Sequence, residues 1–146
     1  MIIHAKSITI LGNIMEIIVN GIKYELRTEE HGAYVVANDY KGEITIPAQI
    51  IVDGLPIKVI GIARAAFRHC KDVTAISLPE GLTTIETDAF KDLKYITEIC
   101  IPESVVTIGE EAFSQCENLK KVVLPSKLNH LSAGLFSCCT SLENII

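Results

Sequence analysis

The chain has 146 residues, 49% of them apolar, and a net charge of −5 with no tryptophan. That length suits one domain with a sizeable aliphatic core. The acidic balance excludes the basic footprint that nucleic-acid binding requires, and no run approaches the ~18 apolar residues of a membrane-spanning helix.

The first 21 residues, "MIIHAKSITILGNIMEIIVNG", resemble a signal sequence only superficially. Asn13 and Glu16 break the apolar stretch, and no small-residue cleavage site follows, so the segment reads as strand. Asn20-Gly21 lies between two apolar runs in "IMEIIVNGIKYEL", a strong hairpin signal. After a polar turn at 28–32, "AYVVAND" (33–39) reads as a further strand. "EITIP" (43–47) follows as another, with Ile44 and Ile46 on its inner side. Beyond it, "IIVDGLPIKV" carries Asp53-Gly54, a second tight-turn signal, and predicts a hairpin projecting from the chain.

From there on the sequence is periodic. Its four phenylalanines stand at 67, 90, 113 and 136, each 23 residues from the next. Pro79, Pro102 and Pro125 keep the same spacing, whereas Pro47 and Pro79 are 32 apart because of the inserted hairpin. Apolar columns hold this register. Ile62, Ile85, Ile108 and Leu131 stand five residues before each Phe, and Ala66, Ala89, Ala112 and Leu135 stand directly before it. Cys70, Leu93, Cys116 and Cys139 stand three after, and Ile76, Ile99, Val122 and Ile145 nine after. One such repeat cannot bury its own apolar face, but stacked repeats can. Each repeat predicts a short strand ended by proline, at about 74–78, 97–101 and 120–124. "IGEEAFSQC" (108–116) predicts a short helical turn with Ile108, Ala112 and Phe113 inward and Glu110, Glu111 and Gln115 in water.

The pattern L-x-x-L-x-L-P followed by I-x-x-x-A-F-x-x-C, seen in "LKKVVLP" and "IGEEAFSQC", resembles the BspA-like leucine-rich repeat family over residues 43–146. The expected fold is an α/β solenoid. It is a right-handed leucine-rich repeat with a parallel sheet on one face, short helical turns on the other and a β-rich cap. The expected division is a cap at 1–42 and about four coils at 43–146, in one domain. The resemblance implies a non-catalytic, surface or secreted protein that binds other proteins or cell-surface ligands. The free cysteines and the unconvincing signal lean towards the cytoplasm; the resemblance weighs more.

The chemistry-bearing residues support no enzyme. Glu110-Glu111 point about 100° apart on a helical turn and read as solvated charge. The five cysteines fit no disulfide or metal spacing and read as column fillers, with Cys100 and Cys138 the two exposed exceptions. The four histidines are scattered, and no metal or cofactor is expected. What remains is the outer face of the strands. One row holds Glu43, Ala75, Glu98, Lys121 and Asn144; the next holds Thr45, Ser77, Cys100, Val123 and Ile146. Candidate ligand-binding residues are Glu43, Thr45, Glu98, Cys100, Lys121 and Val123, with Asp53 on the hairpin. A structural spacer that self-assembles through an open C-terminal edge is the alternative.

Overall fold

The computed structural model describes residues 7–146; residues 1–6 of the expected cap lie outside the described residues. β1 (Ser7–Leu11), β2 (Ile14–Val19), β3 (Ile22–Arg27) and β4 (Gly32–Val35) form an antiparallel meander. The β2–β3 turn is Asn20-Gly21, both in the left-handed region (φ 50° and 81°), as a two-residue hairpin turn demands. β5 (Gly42–Thr45) opens the first coil, and β6 (Gln49–Val52) pairs with β7 (Leu55–Ile62) across Asp53-Gly54. The inserted hairpin is therefore present.

Each later coil contributes a strand to a first wall, and two of them contribute one to a second wall as well. β8 (Val73–Ser77), β10 (Glu98–Cys100), β12 (Lys121–Val123) and β13 (Asn144–Ile145) follow β5 along the first wall. β9 (Thr84–Ile85) and β11 (Thr107–Ile108) stack in parallel on β7, which itself pairs in parallel with β4. The second wall thus continues the sheet of the cap. Its short strands carry Ile85 and Ile108, the column five residues before each Phe.

The expected helical turns do not form: among the described residues there is no helix. The reason lies in where the backbone N–H groups go. An α-helix would bond each to the carbonyl four residues back. Here Phe67 donates to Ala89 (2.8 Å), Phe90 to Ala112 (2.8 Å) and Phe113 to Leu135 (3.1 Å), each one coil onward. Two residues before each Phe, Ala65, Asp88, Glu111 and Gly134 hold φ of 55°, 59°, 53° and 64°. A left-handed residue terminates helical winding. Only Gly134 adopts that conformation without a steric penalty.

Between the walls runs a ladder of rings. Phe67–Phe90, Phe90–Phe113 and Phe113–Phe136 stack at 5.3, 5.2 and 5.9 Å between centroids. Tyr40 of the cap extends it, 4.7 Å from Phe67, while its hydroxyl donates to the Val36 carbonyl (2.6 Å). The cysteine column lies beside the rings. Cys116 and Cys139 donate to the carbonyls of Phe90 (3.2 Å) and Phe113 (3.0 Å), and Cys70 to that of Asn38 (3.2 Å). The cysteines therefore do more than fill space: each satisfies a carbonyl of the preceding layer. Burial pushes the Cys70 thiol up, and the neighbouring Cys139 thiol together with burial does the same to Cys116. In the last coil Phe136 is half-buried and Leu131 is 56% exposed, against the inward position expected for it. Among the described residues no further layer stacks on that coil.

Cap and coils are joined by Arg27 of β3. Its guanidinium lies 3.8 Å from the centroid of the Tyr34 ring and bonds Glu86 (2.7 Å) just after β9. The Glu86 carboxylate also accepts the Arg64 amide (2.8 Å). Partial burial alone would raise its pKa, but the bonds from Arg27 and Arg64 outweigh this and hold it below the usual carboxylate value. A depressed folded-state value means that the stabilisation is complete above the unfolded value and is lost as pH falls through the folded one. Glu86→Gln is therefore expected to lower stability at neutral pH by about 1 kcal/mol. The difference from wild type should shrink as urea titrations are repeated at pH falling below about 4.5. A difference that stays constant down to the acid end would show that the carboxylate is not the coupling group.

Candidate functional site

The outer face of the first wall carries a groove of about 540 Å³. Its position follows from a break in the sheet. β5 and β8 pair in parallel, and so do β10, β12 and β13, but no hydrogen-bonded register joins β8 to β10. At the other junctions a bond also closes the ladder beyond the strand. Ile46 donates to Ser77 (3.0 Å), Ile101 to Val123 (2.9 Å) and Leu124 to Ile146 (2.8 Å). The equivalent bond between Leu78 and Cys100 is missing. The parallel register turns the main-chain groups of Ile76 and Leu78 towards β10, and those of Glu98 and Cys100 towards β8. The groove lies along this seam.

Side chains add charge. Glu98 and Lys121 are register partners across β10 and β12, both exposed, and neither forms an ion pair among the described residues. Cys100 (exposed) and Val123 (half-buried) are partners one step along and make an apolar strip. Glu80, at the far side of the seam, adds a second exposed carboxylate.

The structure thus divides the sequence-derived candidates into three places. Glu98, Cys100, Lys121 and Val123 line the groove. Glu43 and Thr45 sit on β5, where they line smaller hollows at the edge of the wall. Asp53 is at the tip of the β6–β7 hairpin and lines none of these. Sequence reading missed Glu80 and Leu78. Glu80 follows the Pro79 column and looks equivalent to Glu103. However, Glu103 is engaged by the Ser126 amide (3.0 Å) and hydroxyl (2.8 Å), whereas Glu80 is not. No sequence signal marked the seam.

The remaining chemistry is accounted for locally. Glu110 is exposed, while Glu111 is half-buried and paired with Lys91, so that only the first is plainly solvated. Cys100 and Cys138 are the exposed thiols, as the columns imply. Among the described residues no group of three His, Cys, Asp or Glu side chains converges as a metal site. Among them, too, no helix is long and apolar enough to cross a membrane.

The model of the BspA type leucine-rich repeat region matches residues 43–146 in six copies. A leucine-rich repeat protein of Eubacterium ventriosum is 23% identical over 90% of this chain, with a TM-score of 0.74. This chain covers 32% of that protein, about a third of its length. The T. pallidum leucine-rich repeat protein is 26% identical over 85% of this chain and 80% of its own, with a TM-score of 0.52. No curated protein sequence is significantly similar to the chain. The repeat match over residues 43–146 and the stacked columns it describes coincide, and the chain belongs to the BspA-type leucine-rich repeat family.

Proposed function

We propose that the chain is a non-catalytic binding module of a surface or secreted bacterial protein, and that it grips a segment of another protein in the groove at the β8–β10 seam. The observation that carries this reading is the groove itself. It is about 540 Å³ in volume, with Glu98 and Lys121 free of ion pairs among the described residues and an apolar strip beside them. A partner presenting an acidic group to Lys121 and a basic one to Glu98 and Glu80 gains charge-assisted contacts, while its apolar side chain covers Cys100 and Val123. No bond is made or broken. The surface location follows the family resemblance. Capture of surface and matrix proteins by the purified domain would supply a ligand for titration. Lys121→Glu is then expected to weaken its affinity by about tenfold. Glu110→Lys, on the turn side, should leave it unchanged. Equal affinities for all three proteins would remove the groove from the reading.

A second reading is structural. Ile145, Ile146 and Leu131 are 50%, 68% and 56% exposed on the face of the last coil, and β13 is an edge strand. Such a face is suited to stacking on a further coil or another chain. A mass in solution that does not change with concentration would argue against pairing between copies.

A further inference from the structure

The opposite edge of the first wall is also open, and it differs in character. Gly42 donates to Asp72 (2.9 Å) and Ile46 to Ser77 (3.0 Å), while Ile44 is the register partner of Ile76. Residues 42, 44 and 46 therefore turn their main-chain groups towards β8. Strand alternation sends those of Glu43 and Thr45 the other way. Among the described residues no strand pairs with β5 on that side.

Two hollows, of about 280 and 180 Å³, lie along this edge and share Asn20, Ile22 and Thr45 in their walls. The β2–β3 turn forms the facing wall. The smaller hollow is floored by the buried side chains of Ile22, Tyr24 and Ile50. The larger is bordered by Asp39, Lys41 and Glu43, all exposed and none in an ion pair among the described residues. Two carboxylates against one ammonium leave this rim negative.

We propose that the free edge of β5 receives an extended, basic segment of another protein as an added strand. The N–H and C=O groups of Glu43 and Thr45 are unpaired in one direction, and only another extended backbone satisfies them in alternation. Asp39 and Glu43 take a basic side chain of that segment, and the hollow over Ile22 and Ile50 takes a small apolar one. The partner is thus recognised by main-chain hydrogen bonds along β5 and by charge at the rim. This edge is separate from the β8–β10 groove, so either site can fail without the other.

The test uses the whole chain and a synthetic peptide, acetyl-Val-Thr-Val-Arg-Val-Thr-amide, with amide hydrogen exchange followed residue by residue. Near saturation the peptide is expected to slow exchange at Glu43 and Thr45 by about tenfold and to leave Glu98 and Cys100 unaffected. A peptide N-methylated at alternate residues should lose this protection, because it can no longer donate along the strand. Replacing its arginine with glutamate should weaken binding by about fivefold or more. The proposal is overturned if the Glu43 and Thr45 amides gain no protection up to about 1 mM peptide. Equal protection by the N-methylated peptide would also overturn it. So would protection that rises with protein concentration alone, since the occupant would then be a second copy.

Discussion

Phe90→Ala is expected to destabilise the protein by roughly 4–5 kcal/mol, a large part of the 5–15 kcal/mol that holds a domain of this size together. Phe90 is fully buried and stacks on Phe67 at 5.3 Å and on Phe113 at 5.2 Å. Removing it leaves a cavity between two layers that inter-coil hydrogen bonds hold apart, so the site cannot collapse, and two aromatic contacts are lost. Phe136 occupies the same column in the last coil but is half-buried and has a single ring neighbour among the described residues. Phe136→Ala should therefore cost less than about half as much. Urea midpoints of the two variants decide this. Equal losses would show that position along the ladder does not set the cost.

The second large effect comes from a residue without a side chain. A Cβ added at Gly109 would lie 2.4 Å from the Thr87 amide nitrogen and 2.7 Å from the Glu86 carbonyl carbon. Both atoms are main chain of the preceding coil, so no flexible side chain can move aside. The close approach is enforced by the bond from the Gly109 amide to the Ile85 carbonyl (2.7 Å). Gly109→Ala is expected to cost about 3 kcal/mol, the upper end for overpacking, by prising the second wall apart between β9 and β11. A variant within about 0.5 kcal/mol of wild type in urea would mean that the coil spacing relaxes freely. The column containing Gly109 reads Ala63, Glu86, Gly109 and Ser132, so nothing in the sequence singles the glycine out.

That column illustrates the limit of reading repeats. Apolar columns are legible because burial imposes the same requirement on every coil. The core positions at Ile85, Ile108, Phe90 and Phe113 lie where the register puts them, as do the turns at Asn20-Gly21 and Asp53-Gly54. The region around each phenylalanine departs from the helical expectation for a physical reason. "IGEEAFSQC" has helix-compatible spacing, but spacing does not reveal that the N–H groups of Glu111, Phe113 and Gln115 will be claimed by the next coil. Neither does it reveal that Asp88 and Glu111 take left-handed backbone. Tyr40 is a rung of the aromatic ladder although it stands outside the period, since it reaches Phe67 from the cap.

The candidate surface divides in the same way. Alternation along the strands determines that Glu98, Cys100 and Lys121 face outward, and the structure agrees. Whether Glu98 and Lys121 would neutralise each other, whether Glu80 would be free while Glu103 is tied to Ser126, and where the ladder would break were not legible. These depend on hydrogen bonds between residues about 23 positions apart, in which each coil settles against its neighbours. The sequence by itself determined the period, the core columns and the family, because burying a repeated apolar face admits one stacking register. Only the tertiary structure decided the seam at β8–β10, the free edge of β5 and the replacement of helical turns by inter-coil bonds. Those features arise from main-chain groups, which are chemically the same in every residue but proline and leave no mark in the side-chain pattern.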